Sequence, residues 1–262
     1  MPEENHETIS PALRPSTIPA PESVNYTTLK GRHGSLRRYR YQRLRSDAIR
    51  IFRQLPRSHG FELADGTFVP SVEIIHTTYT LPTKHEYEAI SYVWGDCEDC
   101  GFIRTIVKRL LGRITVGDGH LMVSKSLLAA LQHLVLNDHS RNLWADQICI
   151  NQSDLPERAS QVAIMGMIFS HAWSTNVWLG PKNQSTDAVF DAIARLTHGE
   201  FDAAKALFQD GTRAVRAALA VHMPKNELRL YAGLVGQLMR HSWFERLWTF
   251  QEAVMSQRLN MV

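Results

Sequence analysis

The stretch from Leu143 to Gly180, LWADQICINQSDLPERASQVAIMGMIFSHAWSTNVWLG, constrains the fold more than any other part of the chain. It reads as an apolar strand, a polar loop, a capped helix and a second apolar strand. Asp154 followed by Glu157 has the form of a capping box, and Pro156 suits the first helical turn. The helix then places Val162, Met165, Phe169 and Ala172 on one stripe. Two apolar strands joined through a helix belong to an α/β domain with a mainly parallel sheet.

The rest of the chain extends that pattern. YEAISYVWGD (Tyr87 to Asp96) alternates Ala89, Ser91 and Val93 with Ile90, Tyr92 and Trp94. Both sets are apolar or small, as in a central strand buried on both faces. DAIRIFRQ (47–54) suggests a short strand or helical turn. VPSVEIIHTTY (69–79) is β-branched and reads as a strand, as do RTIVKRLL and GRITVGDGHLMV, joined by a turn at 117–119. Ser124 is placed to cap a helix through SLLAALQHLVL, with Leu127, Leu128, Leu131, Leu134 and Val135 on one face. Residues 185–222 read as one or two Ala-rich helices, and a last helix is predicted from about Trp243 to Met255 with Ser242 as its N-cap. The domain division expected is a disordered tail over 1–30, a basic lead-in over 31–46 and one domain over 47–262.

Composition narrows the function classes. A net charge of +3 gives no reason to expect a nucleic-acid partner. The arginines at 37, 38, 40, 43, 45, 50, 53 and 57 are clustered, and their simplest reading is a solvated lead-in. No apolar run reaches the roughly 20 residues of a membrane span. The acidic N-terminus lacks the pattern of a secretion signal, so a cytoplasmic location is expected. Cys97 and Cys100 form a CxxC without a second ligand pair, so two reduced thiols are expected and no metal. Nucleotide-binding glycine loops and the Gly-x-Ser-x-Gly elbow are absent.

The candidate binding residues sit where strands end. In a parallel sheet the carboxyl ends of the strands form the usual ligand crevice. Trp94, Gly95 and Asp96 close one predicted strand; Asn151 and Gln152 follow another. Turn chemistry explains Gly-Asp and Asn equally well. Asp146, flanked by apolar residues, is most simply a buried structural hydrogen-bonding group and is carried as a binding candidate. Glu157 and Arg158 read as a capping residue and a surface or bridging cation.

YEAISYVWGD, the 143–180 stretch and SWFERLWTFQE (242–252), in that order, resemble the HET domain of fungal heterokaryon incompatibility proteins. IRIFRQLP and ITVGDGHLMVSKSLLAALQHL share the likeness, which covers about residues 47 to 257. The resemblance implies an effector of non-self recognition that ends in cell death, and a regulatory protein or C-terminal region as partner. The HET domain in turn is similar to TIR domains, which implies a TIR-like, flavodoxin-like topology with extra N-terminal strands and an inserted helical segment. That second likeness matches Trp248-x-x-x-Glu252 to a helix whose glutamate supports NAD cleavage. It implies NAD as substrate, with no cofactor required. Glu252 is then the catalytic candidate, on the face marked by Phe244 and Trp248. Trp94 is placed to stack on a nicotinamide or base, and Asp96 to take ribose hydroxyls. The alternative implied is a non-enzymatic module that signals by self-association.

Overall fold

The computed structural model describes residues 37–78, 87–95, 100–106, 119–181, 236 and 238–262. All lie in a unit that spans Ser35–Val262. The expected disordered tail, the 107–118 strand segment, the helices over 185–222, and Asp96 and Cys97 lie outside the described residues.

Among the described residues nine strands form one sheet. They are β1 (Arg37–Arg38), β2 (Ala48–Gln54), β5 (Ser71–Thr78), β6 (Glu88–Tyr92), β7 (Cys100–Thr105), β8 (Gly119–Ser124), β9 (Arg141–Trp144), β10 (Thr175–Trp178) and β11 (Leu259–Met261). Their order is β1-β8-β7-β5-β2-β9-β6-β10-β11. A separate hairpin pairs β3 (Phe61–Glu62) with β4 (Phe68–Val69). The run β9-β6-β10-β11 is parallel throughout. Elsewhere the sheet is mixed: β2 runs antiparallel to β5 and β9, and β7 to β8. The α/β class holds, while the N-terminal half is less parallel than the alternation of elements implied. The 47–54 segment resolves as strand β2, and five of its residues, Ala48 to Phe52, are consecutively buried. A strand covered on both faces carries such a continuous run.

The helix after Ser124 is α1 (Lys125–Leu134), and the Ser124 hydroxyl accepts the Leu127 N–H at 3.2 Å as an N-cap. Leu127, Leu128, Leu131 and Leu134 of the predicted stripe enter the core, while Val135 is the half-buried C-cap beyond the helix. LWADQICI departs from expectation. Strand β9 stops at Trp144, and Asp146–Cys149 forms a short helix, α2. The single helix predicted after Asp154 is two, α3 (Leu155–Ala163) and α4 (Met165–His171), broken at Ile164. In α3 only Gln161 is buried, whereas α4 buries Met165, Gly166, Ile168 and Phe169. The break turns the chain from a surface helix into a core helix.

The last predicted helix is also two. Helix α5 (Ser242–Glu245) and helix α6 (Leu247–Val254) are separated by Arg246, whose backbone is extended (φ −80°, ψ 133°). His241, not Ser242, is the N-cap, and its ring accepts the Trp243 N–H. Strand β11 follows α6 and was not predicted. Three residues, Leu259–Met261, are too short to show a period.

Candidate functional site

Strand β6 lies between β9 and β10, so its side chains are flanked on both sides. Successive residues point to opposite faces. Ser91 therefore faces one way and Tyr92 the other, with Trp94 continuing on the Tyr92 side. Each face meets one carboxylate.

On the Ser91 side the partner is Glu252 of α6. The Ser91 hydroxyl donates to Glu252 Oε2 and accepts the Trp243 indole N–H at 2.6 Å. Trp243, Ser91 and Glu252 thus form one hydrogen-bonded chain. Trp243 is fully buried with Val177 and Ala253, in a small core of its own. Helix α6 packs against α4 across Gly166, where a Cβ would come within 2.9 Å of the Gln251 amide nitrogen. Glu252 is 4 % exposed. Burial pushes its carboxyl up to about 7, against the opposing pull of Arg246 and of the Ser91 hydrogen bond. Arg246 Nη2 stands 3.9 Å from Glu252 Oε1, beyond hydrogen-bond reach. Its Nη1 instead donates to the Tyr92 carbonyl.

On the other side the partner is Asp146, the first residue of α2. It accepts from the Tyr92 hydroxyl at 2.7 Å, from the Trp94 indole N–H at 2.7 Å and from the Gln147 N–H at 2.8 Å. Burial pushes its carboxyl up, although those three donors oppose the shift. Asp146 also pushes the Tyr92 hydroxyl further up, beyond what burial alone does.

Asp146 and Glu252 line one small cavity of about 10 Å³, room for a single water-sized molecule. Ile90, Ser91, Tyr92 and Arg246 contribute, and Trp144, Met165 and Phe169 close it with apolar surface. The cavity sits at the carboxyl ends of β6 and β9, the side on which parallel sheets bind ligands. Among the described residues its ionisable lining is the carboxyl groups of Asp146 and Glu252 and the Arg246 guanidinium. Among the described residues no group of His, Cys, Asp and Glu is placed to hold a metal ion.

The structure separates the sequence candidates. Glu252 and Asp146 share the cavity, and Trp94 reaches it through its bond to Asp146. Asp146 is not mid-strand, since it opens a helix, but it is hydrogen-bonded as its surroundings demanded. Gln152 donates to the Asp146 carbonyl at 3.0 Å, so it braces α2 without lining the cavity. Asn151 turns away: its side chain accepts the Ser153 N–H at 3.2 Å, an Asx turn. Gly95 has φ +72° with no atom within 4 Å of a Cβ, so its backbone conformation, and no close approach, calls for glycine. Trp248 is 44 % exposed at the start of α6 and does not line the cavity. The extended backbone at Arg246 restarts the helix, and the inward stripe becomes Thr249, Glu252 and Ala253. The aromatic that meets Glu252, through Ser91, is Trp243.

Glu157 does only half of what a capping box requires. Asp154 accepts the Glu157 N–H at 3.1 Å, but the Glu157 carboxylate turns to Arg50. Arg50 is fully buried and pairs with both carboxylate oxygens, at 2.5 and 2.9 Å. The arginine cluster is thus no uniform solvated segment. Arg53 lies 3.5 Å from Glu73, and Arg57 stacks over Phe68.

Sequence reasoning missed Ser91, Tyr92, Trp243 and Arg246. A serine inside an apolar run was the available signal for Ser91, because a buried hydroxyl needs a partner. Nothing local marked Arg246, whose role depends on the helix break.

The Heterokaryon incompatibility protein (HET) family matches residues 87–252. The chain is 32% identical over 199 residues to "Heterokaryon incompatibility protein 6, OR allele" of Neurospora crassa. That alignment covers 66% of this chain and 28% of the relative, so the chain spans little more than a quarter of that protein. No solved structure matches. The family match begins at β6 and ends at Glu252, and so encloses the cavity.

Proposed function

Since the chain belongs to the heterokaryon incompatibility (HET) family, we propose that it is the effector domain of a fungal non-self response that ends in cell death, and that it acts by hydrolysing NAD. The observation that carries the enzymatic part is Glu252, a buried carboxylate lining a cavity at the carboxyl ends of two parallel strands. A TIR-like core is supported by the strand order β9-β6-β10-β11. Numbered along the chain, that run reads 2-1-3-4, as in flavodoxin-like sheets.

In the proposed reaction the ribose C1′–N bond breaks and its electron pair leaves with nicotinamide. Water adds at C1′, and its proton passes to solvent or to the Glu252 carboxylate. The ribose carries developing positive charge in that transition state. A carboxylate in a water-poor cavity stabilises such charge far better than one in bulk water. Asp146, held by three donors, is a second carboxyl group in the lining. At about 10 Å³ the closed cavity holds no more than a water-sized molecule, far below the roughly 300–1,000 Å³ of typical small-molecule sites. The reading therefore requires the α5–α6 corner to part from β6 as substrate enters.

Nicotinamide release from NAD by concentrated protein tests this. Glu252→Ala is expected to lower the rate by about 100-fold or more. The wild-type rate should climb as pH rises through about 7, because the anion is the working form. Absence of turnover at every protein concentration would defeat the enzymatic reading. A second reading is a non-enzymatic module that signals by self-association. It is favoured by Leu247, Trp248 and Phe250, which stand 85%, 44% and 60% exposed on α6. Cell death that survives Glu252→Ala but is lost with Leu247→Asp and Phe250→Asp would select it.

A further inference from the structure

Arg246 has a geometry that a close, two-point ion pair does not explain. It occupies the corner between α5 and α6 in an extended conformation, and its carbonyl accepts both the N–H and the hydroxyl of Thr249. Its guanidinium is tied to the Tyr92 carbonyl. The backbone and the head group are both fixed, and the fixed position stops 3.9 Å from the Glu252 carboxyl. A quarter of the side chain is exposed, against 6% for that of Glu252. An arginine free to do so would close the remaining gap and form a two-point ion pair.

We propose that Arg246 is the positioning residue of this site: anchored on the Tyr92 carbonyl, it steadies the Glu252 carboxylate from a distance without locking it into an ion pair. This rests on the reading of Glu252 as the working carboxylate. The surroundings favour it. Among the described residues, the charged groups that act on Glu252 are Arg246 from the α5–α6 corner and Asp146 from α2; the Tyr92 hydroxyl is bonded to Asp146 on the other face of β6. Helix α4 offers only Met165 and Phe169. Among the described residues Arg246 is thus the one cation in the lining. Burial and Asp146 favour the neutral acid, and Arg246 and Ser91 favour the anion. A closed ion pair would hold the carboxylate as an unreactive anion, and a missing cation would leave it neutral. The held distance gives a group that exchanges its proton near neutrality and remains free to face a substrate.

The test is a carbon-13 titration of glutamate side-chain carboxyls in the whole chain, with Glu252→Gln identifying the resonance by its loss. In the wild type the resonance should titrate near pH 7. Arg246→Gln retains a donor for the Tyr92 carbonyl and removes the charge, so the midpoint should rise by about one unit or more. Arg246→Lys keeps the charge, and its midpoint should stay within about half a unit of wild type. An unmoved midpoint in Arg246→Gln, or an equal rise in both variants, overturns the proposal. Should Arg246→Gln fail to fold by circular dichroism, the lysine variant decides alone: a displacement of about one unit or more overturns it. The titration needs no turnover. Absence of nicotinamide release beside the expected titration therefore removes the enzymatic reading and leaves the positioning role intact.

Discussion

Two glutamates that face an arginine, the half-buried Glu157 and the buried Glu252, are opposites. Glu157 meets Arg50 through both oxygens at 2.5 and 2.9 Å, and one of those oxygens also accepts the Asn151 N–H at 2.7 Å. Glu252 has one serine donor and a guanidinium held 3.9 Å away. Arg50 is satisfied further by the carbonyls of Cys149 and Gln42 and lies over the Tyr41 ring. The first arrangement joins β2 to the start of α3 and to the loop after α2, so it serves as a clasp. The second leaves a carboxyl incompletely compensated, at a cost in stability, in the wall of a cavity. Full pairing fixes structure, whereas partial pairing keeps a group available for chemistry.

The sharpest way to break this comparison is to open the clasp. Arg50→Met leaves the half-buried Glu157 without its cation. Removal of one partner of a buried pair costs about 3–5 kcal/mol. At roughly 2–4 °C per kcal/mol in a domain of this size, the melting temperature should fall by about 10 °C or more. Arg50→Met combined with Glu157→Met should recover part of that loss, because no orphaned charge remains. Thermal unfolding of the three proteins checks it. A single variant that melts with wild type would make the pair decorative.

The second effect has the opposite sign. The Glu252 carboxyl is raised from 4.5 to about 7 in the folded chain. A raised acid contributes its full stability below the unfolded value and loses it as pH climbs through the folded one. Wild-type stability should therefore decline between about pH 4.5 and pH 7 on account of this group alone. Glu252→Gln removes the ionisation while keeping the shape. It should stabilise the protein at pH 8 by up to ~3 kcal/mol and have little effect at pH 4. Urea unfolding at the two pH values measures it. A variant equally or less stable at pH 8 would place Glu252 with Glu157 as a structural residue.

The contrast also shows what sequence could convey. Ser124 as a cap, the leucine stripe of α1 and the strand character of β6 and β10 follow from local rules, and the structure has them. The family blocks led to Glu252 and Asp146. The breaks at Ile164 and Arg246 were not legible, because neither site carries a proline or glycine and both segments keep a helical period. They arise from tertiary contacts, which override propensity. Arg50 shows the same limit. Its place among exposed arginines suggested solvent, and only the approach of Glu157, 107 residues later, accounts for its burial.

The smallest expected effect concerns Trp94. Its indole N–H donates to Asp146 at 2.7 Å, and the Tyr92 hydroxyl and Gln147 N–H donate as well. Trp94→Phe keeps a ring and removes one of three donors. Loss of one hydrogen bond to a carboxyl group that retains other partners should cost about 1–2 kcal/mol. The ring's second suggested use, stacking on a nicotinamide or base, makes a separate demand. If the ring stacks, Trp94→Phe should leave the KM for NAD within about threefold of wild type, while Trp94→Leu raises it by roughly tenfold, since stacking is worth about 1–3 kcal/mol. If the residue serves only to hold Asp146, both variants should lose stability alike and share one KM. The indole is the one aromatic among the sequence candidates that reaches the cavity's hydrogen bonds, so this pair of variants decides whether it belongs with the clasp or with the chemistry.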